Sequence, residues 1–164
     1  MNTFIAIMIP EGATQAIGDA VEQYKGVLAT PIVNSMWHIT LAFYGNRDFS
    51  SEEVETISAV IRQSFLPTVT ILSIGKGVNE IQLWARVQSS QVLSDLHEIF
   101  LARGGVADTR DFVPHINLGT LKDTSSTLGV PDAPVKTTFT VHEAMLLQSE
   151  NGTYERIATI PLTP

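Results

Sequence analysis

The chain of 164 residues contains no cysteine. Disulfides and thiolate metal sites are thereby excluded, and a reducing compartment is compatible with the composition. Basic residues are few. Ten Lys and Arg stand against 17 Asp and Glu, a formal charge of −7, with no Lys/Arg cluster anywhere. Proteins that track long nucleic acids draw most of their affinity from neutralised phosphates and released counterions, so long duplexes are disfavoured partners. A phosphate-bearing substrate has to be small or gripped at one end. The N-terminal apolar run from Phe4 to Ile9 is too short to span a membrane. It lacks a basic flank and is ended by Pro10, so it reads as a strand rather than a signal peptide. No membrane partner and a cytoplasmic location are the default expectations. The four histidines are scattered and no HExxH or similar spacing occurs, so no metal site is read. Gly75-Lys76-Gly77 lacks the longer P-loop pattern and reads as a turn.

What is present is ample apolar material, 44% of the chain, enough for a packed interior. The length suggests one domain spanning 1–164, or two small halves sharing a core. The layout repeats. A strand at about 3–9, a helix at about 11–25 and a strand at about 36–44 are echoed by a strand at 81–87, a helix at 91–103 and a strand at 112–120. Ala13, Ile17, Val21 and Tyr24 fall at helical spacing in the first helix, as do Leu93, Leu96 and Phe100 in the other. Gly104-Gly105 stops the latter helix through a left-handed cap. Between the copies, Ser50 and Glu53 form a capping-box pattern opening a helix at about 51–65 that buries Val54, Ile57 and Ile61. A strand at 68–74 follows it. Residues 122–134, rich in Asp, Ser, Thr and Pro, read as a loop. Two closing strands, about 137–148 and 153–162, meet at the hairpin signal Asn151-Gly152. The expected fold class is α+β: two pseudo-symmetric lobes, each an antiparallel-rich sheet with helices on its outer face, the sheets facing a central cleft.

Within this layout two tripeptides stand out, His38-Ile39-Thr40 and His115-Ile116-Asn117. His38 follows Phe4 by 34 residues, and His115 follows Ile81 by the same number. Successive strand side chains point to opposite faces, so His38 and Thr40 share one face while Ile39, Leu41 and Phe43 line the other, toward the core. The same holds for His115 and Asn117 against Ile116 and Leu118. Two residues of rise separate each pair by roughly 6.6 Å, close enough for both side chains to touch one bound group. An internal two-fold would bring the histidines to opposite walls of the cleft. Histidine and a small hydrogen-bonding residue, offered twice, form an inventory of acid, base and two anion donors.

The stretches His38-Ile39-Thr40-Leu41-Ala42-Phe43-Tyr44-Gly45 and Phe112-Val113-Pro114-His115-Ile116-Asn117-Leu118 resemble the paired His-x-Thr/Ser motifs of the two-histidine phosphoesterase superfamily. The branch most similar is that of the bacterial RNA 2′,3′-cyclic phosphodiesterases, also called 2′-5′ RNA ligase-like proteins. The opening Phe4 to Pro10 and the closing Leu146 to Leu162, with Gly152 and Tyr154, also resemble strands of that family, so the likeness spans nearly the whole chain. The resemblance implies a metal-free, cofactor-free fold of two lobes with both histidines in the groove. It implies hydrolysis of 2′,3′-cyclic phosphate termini of RNA or small cyclic nucleotides to 2′-phosphates, with possible weak 2′-5′ ligase activity. In such chemistry one histidine takes a proton from the attacking water or hydroxyl and the other protonates the leaving oxygen. Histidine suits both tasks because its unperturbed pKa of about 6.5 leaves both forms populated near neutrality. Thr40 is implied to donate to a non-bridging phosphate oxygen. Which histidine is base and which is acid is open at this stage.

Two positions depart from the family. Asn117 replaces the second hydroxyl residue, though its amide NH₂ still donates to phosphate, from a longer arm. Thr120 stands where many relatives carry a basic residue. Two alternatives follow: hydrolysis of cyclic oligonucleotide second messengers, and non-catalytic binding of nucleotide ends. Trp84 and Arg86 share one face of their strand. They form either a base-stacking and phosphate-steering platform or a core tryptophan with a rim arginine. Lys122 and Arg110 flank the second motif and are candidate contacts for an anionic substrate. His97 and His142, the latter mid-strand, read as structural or surface residues. A monomer is the default assembly.

Overall fold

The computed structural model describes residues 1–61, 66–123 and 131–162, apart from the side chain at position 60. Their element order is β1 (Asn2–Met8), α1 (Glu11–Val21), β2 (Leu28–Pro31), β3 (His38–Gly45), α2 (Ser51–Ile61), β4 (Thr68–Lys76), β5 (Gln82–Val87), α3 (Gln91–Leu101), β6 (His115–Leu121), β7 (Ala133–Thr140), β8 (Glu143–Glu150) and β9 (Thr153–Pro161). Short 3₁₀ turns at Glu22–Val27 and Asn34–Met36 lead into β2 and β3. The first of these ends α1 sooner than the helical spacing predicts. Its tighter winding buries Tyr24, whose hydroxyl donates to the carbonyls of Ile74 and Pro131. The strand β2 has no counterpart among the sequence expectations, being four residues long and mostly exposed.

Nine strands among the described residues form one antiparallel sheet in the order β7-β4-β5-β6-β3-β1-β8-β9, with β2 beside β6. The expected α+β class and two-lobed layout are borne out. One half is β9-β8-β1-β3 and the other β7-β4-β5-β6, and they join at the register pair Ile39↔Ile116. Both isoleucines are fully buried. Each half also lends an edge to the other. The segment after α1 supplies β2 to the end of β6, pairing Thr30 with Thr120 and Pro31 with Gly119. After α3, Val106 N–H donates to Phe43 O at the end of β3 (2.7 Å).

The helices pack on one face of the sheet, α1 against β7 and β4, α2 against β9, and α3 against β3. Between them lies the main core, which includes Ile5, Ile7, Ile17, Leu41, Ile71, Leu83, Leu93, Leu96, Phe100 and Leu146. The capping box is formed: Glu53 N–H donates to Ser50 Oγ and Ser50 N–H to the Glu53 carboxylate. Of the α2 residues expected inside, Ile57 and Ile61 are buried and Val54 half-buried; positions 62–65 of that expected helix lie outside the described residues. Gly104, at φ +95°, and Gly105 both donate to Leu101 O, closing α3 as the glycine pair suggests. Asn151 and Gly152, at φ +51° and +79°, make the tight β8–β9 turn.

Three expectations are corrected. The strand at 137–148 is two strands: β7 pairs with β4 at one margin of the sheet, while β8 pairs with β1 in the other half. His142 sits in the break, where its carbonyl accepts from Leu162 N–H, rather than mid-strand. Gly75 and Lys76 are not a turn but the end of β4, paired with Trp84 and Leu83. Phe43 is 54% exposed rather than core. The cause is a bulge: neighbouring residues Ile5 and Ala6 of β1 pair with Ala42 and Thr40, leaving Leu41 over. One extra residue reverses the alternation beyond it, turning Tyr44 into the core and Phe43 out. β6 has the same bulge at Leu118, and the two strands share one burial pattern through Leu121.

Candidate active site

The motif residues occupy the sheet face opposite the helices. Because Ile39 and Ile116 are directly paired with side chains in the core, His38, Thr40, His115 and Asn117 flank that pair on the other face. In antiparallel pairing this makes the two histidines diagonal neighbours, with backbones roughly 7–8 Å apart. The strands thus bring together all four polar residues of the two tripeptides.

Each imidazole is held by its own chain. His38 Nδ1 donates to the carbonyl of Met36 (2.7 Å), and His115 Nδ1 to that of Val113 (2.8 Å). A carbonyl only accepts, so Nδ1 carries the hydrogen in both rings and Nε2 is the nitrogen able to take up or lose a proton. The same two-residue reach-back in both copies is what the repeat provides chemically. Burial pushes the His38 pKa below the ordinary imidazole range, the Met36 carbonyl opposes this, and the charge of His115 lowers it further. Burial likewise lowers His115, with the Val113 carbonyl opposing and the charge of Arg110 adding to the depression. Each of these protonated imidazoles is therefore less stable than in water, which suits groups that exchange protons.

Asn117 is oriented for donation. Its Oδ1 accepts from Gly119 N–H (3.1 Å), which leaves the NH₂ with no partner among the described residues. Thr40 is half-buried. Around His38 the wall is apolar and aromatic: Phe4 lies 5.1 Å away between ring centroids and Tyr154 meets it edge to face at 5.3 Å. Met8, Met145 and Leu147 complete that patch. Around His115 the wall differs. Trp84 stacks on the imidazole at 3.7 Å and 17°, and Arg86 is its cross-strand partner. Trp84 is 7% exposed and is buried against His115 on the motif face rather than in the main core. Arg86 is bound to Asp132 and donates to Lys76 O (2.9 Å).

Two candidate cations are already bound to other groups. Lys122 lies past the end of β6, its ammonium on Gly26 O (2.8 Å), roughly 23 Å of extended strand from His115. Arg110 is clasped by Asp108, whose carboxyl it holds down to about 2. His97 Nδ1 donates to Leu41 O and its ring stacks on Phe112, a structural role. The sequence reading missed Phe4, Phe43 and Tyr154 as part of this face; only a bulge recognised in advance would have turned Phe43 outward. A hollow of about 260 Å³ between Arg47, Phe49, Glu52, Thr56 and Arg103 contains no motif residue. Among the described residues no cluster of three or more His, Cys, Asp or Glu is placed to hold a metal, and no helix is long and apolar enough to cross a membrane.

No protein-family profile matches the chain, and no curated protein matches it by sequence. Solved structures do. TT0787 of Thermus thermophilus superposes with a TM-score of 0.83 at 19% identity, covering 99% of this chain and 98% of that one. LigT of E. coli, in complex with 3′-AMP, gives 0.74 at 22% identity with the same coverage. Usb1 of Kluyveromyces marxianus gives 0.54 at 12%, covering 98% and 97%. At such identities the likeness speaks for the fold, and it runs end to end through both motif strands. The chain has the fold of the two-histidine phosphoesterases, as its paired motifs imply.

Proposed function

We propose that the chain is a metal-independent phosphodiesterase that opens 2′,3′-cyclic phosphates, on RNA ends or small nucleotides, to 2′-phosphates. The observation that carries this reading is the matched pair of imidazoles, each with Nδ1 pinned to a carbonyl two residues back and Nε2 left to work. One Nε2 accepts the proton of the attacking water as its oxygen bonds to phosphorus. The other donates a proton to the departing ribose oxygen as the phosphorus–oxygen bond breaks. The Thr40 hydroxyl and Asn117 amide donate to the non-bridging oxygens, where negative charge grows in the transition state. The ordered amide of Asn117 favours catalysis over the binding-only reading, since the donor the motif needs is retained in another residue. LigT, which shares the fold, has been solved with 3′-AMP, ATP, NADP⁺ and phosphate, which supports small nucleotides as ligands here. The acidic balance of the chain supports a substrate gripped at one end rather than along a duplex.

The test is a product assay on an oligonucleotide ending in a 2′,3′-cyclic phosphate, run with chelator. Wild type is expected to release the 2′-phosphate. His38→Ala and His115→Ala are each expected to lose about 10²- to 10⁴-fold in rate, the usual worth of one acid–base group. Equal rates in all three proteins would overturn the reading.

A further inference from the structure

We propose that Trp84 is the residue that divides the labour between the two histidines: its stack makes His115 the proton donor and leaves His38 as the base. This rests on the phosphodiesterase reading above. The two halves of the sheet are alike in backbone but not in what lies beside each imidazole. In β1 the residues paired with Thr40 and His38 are Ala6 and Met8; in β5 those paired with Asn117 and His115 are Trp84 and Arg86. The indole lies almost parallel to the His115 ring at 3.7 Å. A cation is attracted to the face of an aromatic ring within about 6 Å, and tryptophan is the strongest such partner. The stack therefore favours the imidazolium form of His115. His38 meets Phe4 at a 36° tilt and Tyr154 at 81°, both with centroids beyond 5 Å, so no comparable parallel stack supports its charge.

The indole is held in place by side chains and backbone of the β4–β5 turn. Its Nε1 donates to Gln82 Oε1 (3.0 Å), which also accepts from Asn79 Nδ2 (3.1 Å). Gly77 gives it room, since a Cβ there would meet the indole ring at 2.5 Å. The charged groups facing His115 are accounted for among the described residues. Arg86 of β5 is paired with Asp132; Arg110 of the preceding loop, though paired with Asp108, still lowers His115; and the charge of His115 in turn lowers His38 of β3. In the reaction the attacking water gives its proton to His38 Nε2 while its oxygen bonds to phosphorus. The bond to the ribose oxygen breaks and that oxygen takes the proton from His115 Nε2.

Imidazole titrations by NMR, with resonances assigned through His97→Gln and His142→Gln, and pH–rate profiles on cytidine 2′,3′-cyclic phosphate test this in wild type, Trp84→Leu, Trp84→Phe and Gly77→Ala. In the wild type His115 is expected to titrate above His38. Trp84→Leu is expected to lower the His115 midpoint by roughly half a unit to one unit, and Trp84→Phe by less. Gly77→Ala displaces the indole without altering it, and a fall in the same direction is expected. The high-pH limb of the rate profile moves down with His115 while the low-pH limb stays. An unmoved His115 in the folded Trp84→Phe and Gly77→Ala proteins, or a His38 midpoint above that of His115, overturns the proposal. An active enzyme whose high-pH limb ignores Trp84 overturns it and spares the phosphodiesterase reading. A His115 midpoint that follows Trp84 in a chain that turns over no ester overturns that reading instead.

Discussion

At the scale of single residues, the proposed site is built from side chains whose second polar atom is already committed. His38 and His115 each give Nδ1 to a carbonyl, and Asn117 gives Oδ1 to Gly119 N–H. What remains is one nitrogen per imidazole and one amide donor, aimed by bonds that leave little torsional freedom. Asn117→Ala removes that donor and is expected to lower kcat about 10²-fold with a smaller change in KM, as loss of a transition-state donor does. Asn117→Thr is expected to recover part of the loss, and steady-state kinetics on the cyclic substrate would check both. The buried imidazoles also tie stability to pH. Folded His38 holds its proton more weakly than a free imidazole. Below about pH 6.5 the unfolded chain therefore takes up a proton that the folded chain does not. Stability is expected to fall as pH drops from about 6.5 through the lowered His38 value, then level out. His38→Asn is expected to flatten that decline in urea melts across the range.

Elements place these residues through the bulges in β3 and β6. The extra residue, Leu41 in one strand and Leu118 in the other, follows each motif and reverses the face of what comes after. Phe43 and Thr120 consequently point out while Tyr44 and Leu121 point in. In β6 the bulge depends on Gly119, at φ +148°, with Thr30 O 2.5 Å and Pro31 Cα 2.9 Å from where a Cβ would stand. Gly119→Ala forces β2 off β6 and strains the backbone, and a loss of about 2–4 kcal/mol is expected in urea unfolding. The substitution also disturbs the N–H that orients Asn117, so kcat is expected to fall with stability. Period-two reasoning gave the motif faces correctly and failed three residues later at Phe43. A bulge leaves no mark in the spacing of apolar residues.

For the whole molecule, the relation between the two histidines depends on the seam where the half-sheets meet. Ile39 and Ile116 form that seam and are fully buried, with the helices packed over their side of the sheet. Ile116→Ala opens a cavity at this junction and is expected to cost about 2–5 kcal/mol by calorimetry or urea titration. On the phosphodiesterase reading proposed above, a seam that shifts by even an ångström separates the two imidazoles, so kcat is expected to drop further than at a core site remote from the motifs. The reciprocal edges, β2 on β6 and Val106 on β3, lock the halves further. Neither was read from the sequence, because a four-residue strand and a single backbone bond carry no periodic signal.

The paired tripeptides, the 34-residue register, the capping box, the glycine stop after α3 and the Asn151-Gly152 turn are local patterns, and each is legible from the chain because local geometry alone sets it. The direction of Phe43, the division of 137–148 into two strands, the stacking of Trp84 on His115 and the tethering of Lys122 to Gly26 were decided only by tertiary structure. These depend on which strands become neighbours and with what offset, a competition between distant segments for edges and burial that no short stretch of sequence encodes by itself.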